Sequence, residues 1–183
     1  MSLAADILAI YQARGAGAYF GERVSMTEHA LQAAHFAQAE QAAETLVVAA
    51  LLHDIGHLLE PPPDDIAEWT HDARHEETGA HWLAKHFDAA VSEPVRLHVA
   101  AKRYLCATDA GYFARLSSAS VHTLQLQGGP MSAQEVEQFE GQRFYQEGVR
   151  LRRWDDQGKV AGLKTLPLEA YAPLIERVAG SVA

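Results

Sequence analysis

The run from Leu46 to Leu52 is apolar without interruption, and His53 and Asp54 follow it directly. A helix that is apolar on all sides is normally buried. The polar groups at its end therefore need partners, because burying an unpaired polar group costs on the order of 2–7 kcal/mol. A hydrogen-bonded helix end and a metal ion both satisfy a His-Asp pair, since histidine supplies a neutral nitrogen and aspartate a negative charge. The dipeptide alone leaves both interpretations open.

The histidines decide between them. The chain has ten, all between positions 29 and 122. Four recur at intervals of 22 to 24 residues, about one helix plus one loop: His29, His53, His75 and His98. A helical bundle with this spacing can bring one residue from each helix to a common centre. With Asp54, and with Asp155 or Asp156, they form an all-nitrogen-and-oxygen ligand set, which is typical of iron, manganese or zinc.

The hydrophobic periodicity predicts helices throughout the chain and no strand. Two capping boxes, Ser25 with Glu28 and Ser132 with Glu135, mark helix starts. Asp72 and the Ser92-Glu93-Pro94 run predict two more starts. The expected helices span residues 2–14, 25–41, 43–53, 73–87, 92–104, 132–139, 144–154 and 168–178, with a loop at 60–71. These patterns predict one all-α domain over residues 1–183.

Composition restricts the partners and the compartment. The net charge of −9 argues against nucleic acid as a partner, since nucleic-acid binders usually present a basic face. The single cysteine, Cys106, cannot form an internal disulfide, which favours a reducing compartment. No run approaches the roughly 18 apolar residues of a membrane span. The N-terminal residues lack the pattern of a signal peptide. We therefore expect a cytoplasmic protein that binds neither nucleic acid nor membrane.

The order of these residues resembles a known family. His29, His53-Asp54 and Asp155 match the H…HD…D pattern of the HD-domain superfamily, helical metal-dependent proteins that are mostly phosphohydrolases. His75 and His98 match the additional ligands of its dinuclear members. From about residue 19 to 159, the chain is most similar to the HD-domain mixed-valent diiron oxygenases, in the phosphonate-cleaving branch related to myo-inositol oxygenase.

The resemblance implies a role for each matching residue. One iron is expected to bind His29, His53, Asp54 and Asp155, and the other to bind Asp54, His75 and His98, so that Asp54 bridges. Asp155 is preferred to Asp156 because the family ligand directly follows an Arg-Arg-aromatic triplet. The residues expected to bind the phosphonate are His57, Lys102, Ser120, Thr123 and Arg152. Tyr19 and Glu22 are expected to belong to a catalytic lid, in which Glu22 faces the ammonium group of the substrate.

The resemblance also implies a reaction. The protein is expected to be an enzyme that uses an Fe(II)/Fe(III) pair and O2 to cleave the C–P bond of a small organophosphonate. The expected substrate is 1-hydroxy-2-aminoethylphosphonate or its N-trimethyl analogue, and the products are phosphate and glycine or glycine betaine. The alternative is a phosphohydrolase that acts on a nucleotide or a small phosphate ester. The sequence leaves open the choice between amine and trimethylammonium.

Overall fold

The computed structural model describes residues 2–60, 72 and 74–180. These ranges contain two short 3-10 helices, at Phe113–Arg115 and Leu168–Tyr171, and no strand. They also contain ten α-helices: α1 Leu3–Arg14, α2 Met26–Ala39, α3 Glu44–Leu52, α4 Ile55–Leu59, α5 His75–Leu83, α6 Ala89–Thr108, α7 Ser118–Leu126, α8 Ala133–Glu140, α9 Tyr145–Gln157 and α10 Ala172–Gly180. The predicted all-α fold is confirmed. The predicted loop at 60–71 lies, apart from residue 60, outside the described residues.

Helix α3 is the centre of the core. All of Leu46–Leu52 is buried, as the apolar run predicts, and α3 packs against α2, α6, α9 and α10. The Tyr11 hydroxyl of α1 donates a hydrogen bond to the Leu51 carbonyl at 2.8 Å. Because α3 is enclosed on every side, the residues that follow it enter the middle of the bundle.

The backbone of α5 packs closely against the corner between α3 and α4. A Cβ atom at Gly56 would lie 2.0 Å from the His75 carbonyl oxygen, so only glycine permits this approach. Gly56 lies within the short helix α4 and sets the distance between α4 and α5.

Several helix boundaries differ from the prediction: α5 ends at Leu83 instead of residue 87, α6 continues to Thr108, and α7 lies where no helix was predicted. Three further differences involve charged residues at helix ends. Helix α6 begins at Ala89, because the Asp88 side chain accepts a hydrogen bond from the Ala90 amide at 3.0 Å; Ser92-Glu93-Pro94 lies inside the helix. Asp72 does not cap α5, whose N-cap is Arg74 in the left-handed region with φ of 49°. Helix α9 continues through the two aspartates to Gln157 instead of ending at residue 154. In the part of the chain that the structure describes, no helix is long and apolar enough to cross a membrane.

Candidate metal centre and substrate pocket

The structure brings together all six predicted metal ligands. They come from five places in the fold: α2 (His29), the α3–α4 corner (His53 and Asp54), the start of α5 (His75), the middle of α6 (His98) and the last turn of α9 (Asp155). All are buried except His75, which is half-buried. The approximate one-helix-plus-one-loop spacing of the histidines thus corresponds to successive helices that meet at one point.

The four histidines form two pairs, and one carboxylate faces both. The Nε2 atoms of His29 and His53 are 3.1 Å apart, and those of His75 and His98 are 3.2 Å apart. Asp54 Oδ2 lies 3.5 Å from His29 Nε2 and 3.4 Å from His53 Nε2. Asp54 Oδ1 lies 3.2 Å from His75 Nε2 and 3.6 Å from His98 Nε2. This is the arrangement required of a carboxylate that bridges two metal ions.

Backbone carbonyls orient three of the rings. Each of these histidines contacts a carbonyl oxygen through Nδ1: His29 with Gly158 (2.9 Å), His53 with Ala50 (2.8 Å) and His98 with Val95 (2.6 Å). A carbonyl oxygen only accepts, so Nδ1 carries the proton and the Nε2 lone pair of a neutral ring points into the site. This is the arrangement normally found around metal-bound histidines.

The donor set fits a pair of cations. Asp54 Oδ2 and Asp155 Oδ1 are buried and accept no well-formed hydrogen bond from the described residues. Burial acts to lower the pKa of His29, but the attraction of the nearby Asp155 and Asp54 carboxylates outweighs burial and raises that pKa to about 9. The two carboxylates thus favour a proton or another cation at the position that the Nε2 atoms face. Metal ions compete with protons for such a position.

The two adjacent aspartates of α9 face different groups. Asp155 Oδ1 lies 3.3 Å from His29 Nε2, and Asp155 Oδ2 lies 2.7 Å from Arg152 Nη1. Asp156 accepts hydrogen bonds from Arg152 and from the Tyr112 hydroxyl, the latter at 2.5 Å. Burial alone would raise the pKa of Asp155, but the Arg152 charge and the nearby His29 ring hold that pKa well below its usual range.

A small cavity of about 40 Å³ adjoins the His75–His98 pair. All five residues predicted to bind a phosphonate line it: His57, Lys102, Ser120, Thr123 and Arg152. Ser120 and Thr123 lie one turn apart on α7. Lys102 Nζ donates to Thr123 Oγ1 at 2.8 Å, and Arg152 Nη2 donates to Ser120 Oγ at 3.4 Å. Cations and hydroxyl donors therefore share one wall of the cavity.

Burial changes the protonation of two cavity residues. Burial, together with the nearby charge of Arg152, lowers the pKa of Lys102 to about 7. Burial also holds the pKa of His57 well below its usual range, and its neighbour His75 adds to this effect. The rings of His57 and His75 stack, with centroids 3.9 Å apart. His57 is thus a neutral ring, and Lys102 responds to a nearby anion by holding its proton more tightly.

The segment between α1 and α2 covers the metal-ligand cluster. The buried ring of Tyr19 stacks on His29 with centroids 3.8 Å apart. Phe20 and Gly21 both have positive φ, 41° and 79°, which makes a tight turn, and the Glu22 amide donates to the Tyr19 carbonyl at 2.8 Å. Burial and then the charge of Asp54 raise the pKa of Tyr19, so its phenol is neutral. Glu22 does not line the cavity directly; its carboxylate approaches Lys159, which does.

Several residues at the site were not predicted from the sequence, among them Lys159 and Tyr112. Lys159 lines the cavity, and Tyr112 binds both Asp156 and Arg152. The only sequence signal for Lys159 is its place four residues after Asp155, which is uninformative because α9 ends between them. Tyr112 has no signal, since its position depends on how the segment after α6 packs.

Comparison with known proteins agrees with this geometry. Residues 26–126 match the family model described as HD domain. The chain is 44% identical over 169 residues to "[1-hydroxy-2-(trimethylamino)ethyl]phosphonate dioxygenase (glycine-betaine-forming)" of Leisingera caerulea, covering 92% of this chain and 86% of the relative. It is 47% identical over 159 residues to "Hydroxymethylphosphonate dioxygenase" of Gimesia maris, covering 86% of this chain and 79% of the relative. The predicted family is confirmed: the chain belongs to the HD-domain family, in the branch that contains phosphonate dioxygenases.

Proposed function

We propose that this protein is an iron-dependent oxygenase that cleaves the C–P bond of a 1-hydroxyphosphonate with O2. The names of the two relatives support an enzyme of this kind and confirm the predicted oxygenase class. The expected substrate is 1-hydroxy-2-aminoethylphosphonate or its N-trimethyl analogue. One O2 is consumed per substrate, and the atoms balance with one phosphate and one carboxylate, either glycine or glycine betaine.

The observation that carries this proposal is the position of Asp54 beside a cationic cavity. His29, His53, Asp54 and Asp155 would hold one iron, while His75 and His98 would hold the other with Asp54 between them. A mixed-valent iron pair supplies the activation of O2 and the one-electron chemistry that a C–H and C–P cleavage needs. The second group has fewer protein ligands and adjoins the cavity, which leaves room for substrate oxygens.

The chain's own residues bind and orient the phosphonate. Lys102 and Arg152 supply positive charge on one wall, and the hydroxyls of Ser120 and Thr123 donate to the remaining oxygens. His57 packs against His75 and offers a neutral ring at the same end of the cavity. A dianion held there directs its 1-hydroxyl carbon toward the metal centre, which is the orientation that the reaction requires.

Tyr19 and Glu22 are assigned to the lid. The Tyr19 ring lies directly on a metal ligand, so its phenol is within the site rather than at the surface. In this proposal the phenol blocks the reduced centre from O2 until the substrate displaces it. The Glu22 carboxylate then faces the ammonium group of the substrate.

Dependence on O2 tests the function against the phosphohydrolase alternative. The protein is reconstituted anaerobically with iron and then mixed with each of the two candidate substrates, under air and under strict anaerobiosis. We expect phosphate to be released under air and not under anaerobic conditions. Equal release without O2 would overturn the oxygenase assignment and favour a metal-dependent phosphohydrolase.

A further inference from the structure

We propose that Lys159 is a specificity-determining residue that competes with a cationic substrate for Glu22. This inference rests on the proposed function, because it concerns the substrate end of the same site. It assigns a role to a residue that the predicted binding set does not include.

Lys159 lies between the cavity and the lid. It follows the C-cap of α9, and its side chain is only 12% exposed. Its Nζ atom donates to Ser120 Oγ at 3.1 Å and lies 3.8 Å from Glu22 Oε1. The same ammonium lies 5.7 Å from the centroid of the Tyr19 ring. Lys159 therefore contacts both the predicted phosphonate wall and the lid.

Among the described residues, little apart from Lys159 balances the negative charge of the Glu22 carboxylate. Its side chain is 18% exposed, and its Oε1 atom is buried and accepts no hydrogen bond from the described residues. Among those residues, Lys159 forms the one ion pair with it. At 3.8 Å the pair is a charge contact rather than a hydrogen bond, so another cation can replace the lysine without breaking a close contact.

A carboxylate beside an aromatic face is the environment that recognises an organic ammonium. Here the protein's own ammonium lies 3.8 Å from Glu22 Oε1 and also faces the Tyr19 ring. A substrate that carries an ammonium must move Lys159 aside or meet its like charge, which weakens binding. A substrate without an amine leaves the pair undisturbed. The flexible stem of lysine allows the movement, and the hydrogen bond to Ser120 holds the ammonium independently of Glu22.

The test compares, in a single variant, a phosphonate that carries an ammonium with one that lacks it. In Lys159→Met, the ratio of kcat/KM for [1-hydroxy-2-(trimethylamino)ethyl]phosphonate to that for hydroxymethylphosphonate should rise about tenfold, mainly through the KM of the cationic substrate. Lys159→Arg keeps the charge and should keep the wild-type ratio. Lys164→Met removes an exposed lysine five residues further on and serves as the matched control, with no change in the ratio.

Two results would overturn the inference. An equal loss for both substrates in Lys159→Met would show that the lysine binds the phosphonate they share. An unchanged ratio would show that it does not sense the ammonium. Equilibrium binding of both compounds to the iron-loaded protein without O2 gives the same ratio independently of turnover. If the wild type binds both compounds but never releases phosphate, the proposed function fails, and the binding ratio still tests the role of Lys159. If the wild type binds neither compound, the proposed function and the inference both fail.

Discussion

Arg152 Nη1 lies 2.7 Å from Asp155 Oδ2, while the other Asp155 oxygen faces His29. One carboxylate thus joins the predicted phosphonate wall to the candidate metal centre. Other donors of Arg152 bind Asp156 and the Tyr112 hydroxyl, which fixes the guanidinium on further sides. A change at Arg152 should therefore affect both substrate binding and the environment of one iron.

Arg152→Lys should lower kcat/KM about 10–100-fold, the usual effect of changing a residue that orients a metal ligand. Lysine keeps the positive charge, but its single ammonium group cannot contact Asp155, Asp156 and Tyr112 at once, as the planar guanidinium of arginine does. Steady-state kinetics and iron content are measured together, with Arg153→Lys on the exposed side of the same helix as the control. A kcat/KM within twofold of wild type in Arg152→Lys would contradict the orienting role.

The adjacent aspartates should differ in their effect on iron. Asp155→Ala should impair the iron site formed with His29 and His53, because it removes an oxygen 3.3 Å from His29 Nε2. Asp156→Ala leaves that oxygen in place and should retain most of the iron, since it only loosens Arg152. Iron per protein chain after reconstitution and desalting measures the difference. The reverse order would place the ligand one residue later.

Tyr19→Phe should retain both irons but oxidise more readily in the absence of substrate. The phenylalanine preserves the ring that stacks on His29 and removes the phenol that the proposed lid uses. The rate of oxidation of the substrate-free reduced centre, after mixing with O2, is compared with that of the wild type. Equal rates would count against a protective role of the phenol.

Lys102→Met should make the metal-free protein more stable, most of all at low pH. The folded-state pKa of Lys102 is about 7, well below its ordinary 10.5, because burial disfavours the charged form. The unfolded chain therefore binds more protons between about pH 7 and 10.5, and the stability penalty from Lys102 disappears as the pH rises through that range. The gain in unfolding free energy, on the order of a few kcal/mol at pH 6, should shrink towards pH 10.

Denaturant unfolding of wild type and Lys102→Met at pH 6, 8 and 10 measures this difference. Taking the difference between the two proteins cancels the titration of the other groups. The same variant should bind phosphonate poorly, because it removes a cation from the cavity wall. A stability difference that stays constant across the range would show that Lys102 is charged in the folded protein at every pH tested.

The convergence of the predicted ligands could be anticipated because four histidines recur at about one helix plus one loop, and the family order names the residues that accompany them. Boundaries were less predictable where two signals competed. Asp88 caps α6 ahead of the Ser92-Glu93-Pro94 run, and the aspartates that were expected to end α9 are held within it, where Asp156 binds Arg152. Lys159 and Tyr112 could not be predicted, because their contacts depend on chain segments that meet only in the folded protein.

The most direct test of the central claim is the ratio of O2 consumed to phosphate released. Both quantities are followed in the same reaction of the iron-loaded protein with its hydroxyphosphonate substrate. Asp54→Ala, which removes the carboxylate facing both histidine pairs, serves as the control and should give neither. We predict one O2 per phosphate for the wild type. Phosphate release with no O2 consumed would contradict C–P cleavage by an oxygenase.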